Sequence, residues 1–153
     1  MKPITVLLAD DNWVVRKAFR MILESEDDLE VVGEAKNGRQ AVAMVKTLRP
    51  ALVLMDIAMP QVNGLKATRQ ILKAAPATRV LMLSVHSDDV YVEAATDSGA
   101  MGFLIKQNCA GYVCSAVREV QKGHIFFSPS IPARLRRQNR NGNCAPTSFI
   151  FST

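Results

Sequence analysis

The sequence predicts a doubly wound α/β fold, a parallel sheet with helices on both faces. Three observations carry this. Five short apolar runs recur along the chain, and stretches with helical spacing of apolar residues lie between them. Strand and helix thus alternate five times, and connections of that length force parallel pairing through crossover helices. The runs are continuously apolar rather than alternating, as expected of strands buried on both sides.

The first run is Ile4–Leu8. Val15, Ala18, Phe19 and Ile22 then keep i, i+3, i+4, i+7 spacing, which makes them the inner face of a first helix. The second run, Glu30–Gly33, is weaker, and with Glu34 beside it suits a sheet edge. Asn37 with Gln40 makes a capping-box pattern; Ala41, Met44, Val45 and Leu48 follow as a helical stripe, and Pro50 ends it. The third run is Leu52–Met55. Leu65–Ala75 is helix-compatible and is followed by Pro76. After the fourth run, Val80–Leu83, Ser87 can cap a helix over Asp88–Ser98, and Gly99 can terminate it. The fifth run is Phe103–Ile105, followed by a helical stripe of Val113, Ala116, Val117 and Val120. Cys109 and Cys114 fall on that fifth helix as small packing residues. Past about residue 125 the periodicity fails, and residues 126–153, with three prolines, read as a linker or tail.

At 153 residues, with 48% apolar and 22% charged content, the chain is long enough for one domain with a proper core. No apolar run approaches the ~20 residues of a membrane span. Met1-Lys2-Pro3 leads straight into the first run, which is not a secretory signal. Three cysteines, Cys109, Cys114 and Cys144, have no C-x-x-C spacing and read as reduced thiols of a cytoplasmic protein, without a thiolate metal site. The net charge of +5 is uneven. Residues 1–117 hold 13 Lys+Arg and 13 Asp+Glu, whereas residues 118–153 hold 6 bases and 1 acid. A basic end of this kind is either a solvated tail or a segment leading towards nucleic acid.

In an open parallel sheet, ligands bind beyond the carboxyl ends of the strands. The first strand ends at Asp10-Asp11, the third at Asp56, the fourth at Ser84 and the fifth at Lys106. Acids at Asp10-Asp11 also suit a helix N-cap. Three carboxylates gathered in one place repel one another, and a hard divalent cation such as Mg²⁺ relieves that. Asp56 can then act as a nucleophile towards a phosphoryl group. Lys106 can neutralise charge on that group, and Ser84 can donate a hydrogen bond to it. The broken backbone from Ala58 to Gly64 lets main-chain groups turn towards the metal, and Gly64 gives freedom to start the next helix.

The set Asp10-Asp11, Asp56-x-x-Met59-Pro60-x-x-x-Gly64, Ser84 and Lys106 resembles the receiver domain of two-component response regulators, over about residues 3–122. The resemblance implies a flavodoxin-like (βα)5 sheet of order 2-1-3-4-5. It implies a 4-aspartylphosphate at Asp56, formed with a sensor histidine kinase as partner. Mg²⁺ would be held by Asp11, Asp56 and the Ala58 carbonyl, with Asp10 acting mainly through water. Ser84 and Phe103 would be the switch residues, reshaping the surface of helix four and strand five. Residues 80–106 together with "GHIFFSPSI" resemble the NarL/FixJ (LuxR-type) subfamily, whose members regulate transcription through a C-terminal helix-turn-helix domain. Residues 1–125 are then the receiver and 126–153 a basic linker or tail. The 28 residues of that tail are too few for the output domain, so DNA would be met only through a domain absent from this chain. A phosphorylation-enhanced homodimer, through helix four and strand five or through helices one and five, is a further expectation.

The chain departs from the pattern at Gln107, where many receivers have proline. Ala58 and His86 stand at positions that tune autodephosphorylation in the family. A natural stand-alone receiver and a phosphorylation-independent interaction module are alternative readings; the module would usually lack an acid or the lysine. A haloacid-dehalogenase-type phosphatase also uses a strand-end aspartate and Mg²⁺. It needs an acid two residues past the nucleophile, where this chain has Ala58, or Asn12 after Asp10.

Overall fold

The computed structural model describes residues 2–85, 88–131 and 149–150. Strands β1 (Ile4–Ala9), β2 (Leu29–Ala35), β3 (Leu52–Asp56), β4 (Arg79–Ser84) and β5 (Gly102–Ile105) alternate with helices α1 (Trp13–Glu24), α2 (Gly38–Leu48), α3 (Gly64–Ala74), α4 (Asp89–Ser98) and α5 (Val113–Gln121). The strands are parallel, in the order β2-β1-β3-β4-β5. The fold is flavodoxin-like, as the receiver resemblance implies.

Alternation along each strand explains the continuous apolar runs. Leu7, Val53, Met55, Val80 and Met82 join one core with Ala41 and Val45 of α2, Ala67 and Ile71 of α3, and Val92 and Ala95 of α4. Their neighbours Val6, Leu8, Leu52, Leu54, Leu81 and Leu83 join a second core with Phe19 and Leu23 of α1 and Val113, Ala116, Val117 and Val120 of α5. Both faces of the central strands are covered, so the buried stretches Val6–Ala9, Leu52–Met55 and Val80–Leu83 are apolar throughout until the carboxyl ends.

The local signals are realised with one adjustment. Asn37 caps α2 by accepting from Gln40 N at 2.8 Å, but the Gln40 side chain reaches Lys36 N rather than the cap itself. Gly99 ends α4 in the left-handed region, at φ 100°. Ser87, expected to cap α4, and His86 lie outside the described residues, as do residues 132–148 of the basic tail with Cys144.

Three expectations are corrected. The sheet does not stop at β5. Ile125–Phe127 forms β6 beside it, and Phe149–Ile150 forms β7 beside β6, both parallel. Phe126 and Phe127 are 1% and 2% exposed, so this part of the supposed tail is core. On α1, Val15, Phe19 and Ile22 do pack against the core, but Ala18 is exposed, and Arg16 and Leu23 are buried beside them. Cys109 precedes α5 rather than lying on it; it is fully buried after a 3₁₀ turn at Lys106–Asn108, while Cys114 is on the helix.

Candidate functional site

The carboxyl rim of the sheet gathers the expected polar groups. One carboxylate oxygen from each of Asp10, Asp11 and Asp56 lies within 4.8 Å of the other two. Asp10 and Asp56 are 3% and 4% exposed, whereas Asp11 faces solvent. Asp10 follows the last residue of β1, and its N–H donates to the Ala35 carbonyl at 3.1 Å, which extends the pairing with β2 by one bond. Its Oδ1 accepts from Asn12 N at 2.9 Å. Neither acid is the helix cap. That role belongs to Asn12, whose Oδ1 accepts from Val14 N and Val15 N. The two carboxylates are therefore not consumed by the start of α1.

Lys106 is the first residue after β5 rather than its last, and its ammonium reaches back over the acids. Nζ lies 2.6 Å from Asp10 Oδ2 and 3.4 Å from Asp56 Oδ1. The closer contact is a tight salt bridge to the Asp10 carboxylate. Burial works against the ammonium, but the Asp10 and Asp56 carboxylates outweigh it and hold the Lys106 pKa above its usual value. Burial, and next the facing Asp10 carboxylate, push Asp56 up to about 6, against the pull of Lys106 and the Ala58 N–H. Two buried acids share one ammonium, and the third acid stands beside them.

Ser84 ends β4 and is 3% exposed. Asp56 pairs in register with Leu83, which puts Ser84 one residue beyond the level of the aspartate on the neighbouring strand. Phe103 is 1% exposed on β5, in register with Met82 on one side and Phe127 on the other. Ala58 is exposed in the loop after β3, and its N–H donates to Asp56 Oδ1 at 3.4 Å.

That loop is held from both ends. Ile57 N donates to Leu83 O at 3.1 Å, and Gly64 N donates to Ile57 O at 2.8 Å. Gln61 takes φ 66°, and Asn63 caps α3 through Lys66 N at 2.9 Å. Gly64 is required for close approach rather than for freedom. A Cβ there would collide with the Asp56 carbonyl oxygen, a backbone atom that cannot step aside. The missing methyl lets α3 begin directly against the strand that carries Asp56.

Sequence reasoning misses Arg16. It is 7% exposed, its guanidinium donates to the Asp10 carbonyl at 2.6 Å, and Glu34 Oε1 accepts from its Nε at 2.9 Å. Its spacing from Phe19 and Leu23, i, i+3, i+7, is the available signal.

The family model for the response regulator receiver domain matches residues 6–118. The chain belongs to that family. This receiver is 36% identical over 137 residues to the transcriptional regulatory protein DegU of Brevibacillus brevis, covering 90% of this chain and 58% of that one. It is 36% identical over 135 residues to the response regulator protein VraR of Staphylococcus aureus, covering 88% and 65%. Among solved structures it resembles the signal receiver domain of the putative response regulator NarL from Mycobacterium tuberculosis. The TM-score is 0.78 at 30% identity, over 81% of this chain and all of that one. These similarities put the receiver in the NarL/FixJ-type group. The chain spans about three fifths of the length of DegU and VraR.

Proposed function

We propose that this receiver accepts a phosphoryl group on Asp56 and uses it to control transcription through an output domain beyond residues 126–153. The observation that carries this is the convergence of Asp10, Asp11, Asp56 and Lys106 at one end of the sheet. A carboxylate oxygen of Asp56 attacks phosphorus; the bond from phosphorus to the donor's imidazole nitrogen or acyl oxygen breaks, and its electron pair leaves with the donor. Lys106, 3.4 Å from the acceptor carboxylate, meets the incoming negative charge, and Ser84, one residue past the level of Asp56, donates to a phosphoryl oxygen.

The donor set fits a hard divalent cation: three carboxylates in one hollow, two of them buried. Asp11 and Asp56, with the Ala58 carbonyl, would hold Mg²⁺, and Asp10 would take part through water. When bound, the ion supplies neutralisation of charge on the transferring group.

The donor in the cell is a sensor histidine kinase, and the setting is the cytoplasm. Among the described residues no helix is long and apolar enough to cross a membrane. Ser84 moves towards the phosphoryl group, and Phe103 changes rotamer at β5; the surface of α4 and β5 changes with them and favours a homodimer. The name of DegU, a transcriptional regulatory protein, supports the transcriptional output. The chain is a switch and not a turnover enzyme. Neither Ala58 nor Asn12 offers the second acid that a phosphatase of the haloacid-dehalogenase type uses.

Acetyl phosphate with Mg²⁺ is expected to add about 80 Da to the intact mass of the protein. Asp56→Asn should abolish the gain, and an unchanged gain in that variant would show the acceptor to be another residue.

A further inference from the structure

A buried guanidinium is costly unless its donors are met. Arg16 meets two acceptors that belong to different parts of the fold. One is Glu34, near the carboxyl end of the edge strand β2, with Oε1 at 2.9 Å from Nε. The other is the Asp10 carbonyl oxygen, 2.6 Å from a terminal guanidinium nitrogen. That carbonyl belongs to the peptide joining Asp10 to Asp11, so its orientation sets how the two carboxylates leave the main chain. Arg20, one turn along α1, reaches the other oxygen of the same carboxylate, with Nε 2.7 Å from Oε2.

We propose that Arg16 is a positioning residue for the cation site: it holds the Asp10–Asp11 peptide so that both acids converge on Asp56, and Glu34 orients the guanidinium for that task. The inference rests on the phosphoacceptor reading above. It assigns Arg16 the role of an outer-shell partner, which orients ligands without touching the ion. A planar fork suits this, because it meets two acceptors at a fixed angle. A lysine presents a single point of charge and cannot serve Asp10 O and Glu34 with the same geometry. The plainer alternative is that Arg16 only ties α1 to β2. Arg20 does that as well, through the same carboxylate, but its side chain donates to Glu34 and Glu24 and not to the acid turn. The two arginines therefore separate the roles.

The experiment is calorimetric titration of the full chain with Mg²⁺ alone, paired with the Mg²⁺ dependence of the mass gain from acetyl phosphate. Arg16→Met and Arg16→Lys are each expected to weaken Mg²⁺ binding about 10-fold, the lower end of the effect of removing an outer-shell partner. The half-maximal Mg²⁺ concentration for mass gain should move with it. Arg20→Ala should bind Mg²⁺ as the wild type does. Wild-type affinity in Arg16→Lys, or an equal loss in Arg20→Ala, overturns the proposal. If Arg16→Met does not fold by thermal melting, Arg16→Lys against Arg20→Ala decides alone. A wild-type protein with neither Mg²⁺ affinity nor mass gain overturns the phosphoacceptor reading itself. A wild type with both, alongside an unaltered Arg16→Lys, overturns this inference only.

Discussion

Leu54 and Asp56 sit two residues apart on β3, at 1% and 4% exposure, and their burial has opposite consequences. Leu54 belongs to the core shared with α1 and α5, where its neighbours are apolar and burial stabilises the fold. Asp56 is buried against another carboxylate and is held up to about 6, so its charged form is disfavoured where it sits. The middle of the sheet carries the stability, and its carboxyl rim holds an aspartate that would be more comfortable in water. The rim's discomfort is what a cation and a phosphoryl group can relieve.

The sharpest way to break this contrast is to exchange the two effects. Asp56→Asn should lose all of the acetyl-phosphate mass gain, yet without metal at pH 8 it should unfold at a higher denaturant concentration than the wild type. A less stable Asp56→Asn would mean that the rim is not strained. Leu54→Ala should do the reverse, losing about 2–5 kcal/mol in denaturant unfolding while the fraction still folded accepts phosphate as before. Loss of phosphorylation from folded Leu54→Ala would show that core and rim are not separable.

Gly64→Ala falls between the two regions, because its new methyl meets the Asp56 carbonyl oxygen. An overpacking cost of about 1–3 kcal/mol is expected, together with slower phosphorylation. Wild-type stability would mean that α3 can slide away from β3 without consequence.

The smallest effect is a pH dependence. The folded chain keeps a proton on Asp56 up to about pH 6, while an unfolded aspartate ionises near its ordinary value of 3.8. Between those values the folded state binds more protons, so this group's contribution to stability falls as pH rises, by no more than about 3 kcal/mol in total. Asp28, held low by its hydrogen bond to Arg118, contributes in the opposite sense, as does Glu34, where Arg20 and Arg16 outweigh burial. The difference between wild type and Asp56→Asn isolates the aspartate. That difference should slope between pH 4 and 6 without metal, and a flat one would show that the rim carries no strain.

The central strands and the acids at their tips are legible in the sequence because both faces of the sheet are covered. A continuous apolar run that stops at a carboxylate fits little besides a fully buried strand opening onto a polar rim. Asn37 and Gly99 are legible because capping chemistry is local. What escapes is set by partners distant in sequence. The β6 strand is three residues long and pairs with β5 across α5, too short to register as a run of its own. The burial of Arg16 on α1 is met by Glu34 eighteen positions away, a partner that no apolar stripe encodes. Gly64 stands out in the sequence as a turn residue, but crowding by another segment is what demands it, and crowding leaves no trace in the local sequence.

The added strand also changes what β5 can do. Gly102 and Phe103 are already in register with Phe126 and Phe127, and farther along, the Ile105 N–H is taken by Ser128 Oγ at 2.8 Å. A second copy therefore finds no vacant ladder on β5 to extend. An assembly formed through β5 itself has to be stitched by side chains, whose identity is open to regulation, rather than by main-chain bonds, which would join strands with little regard to sequence.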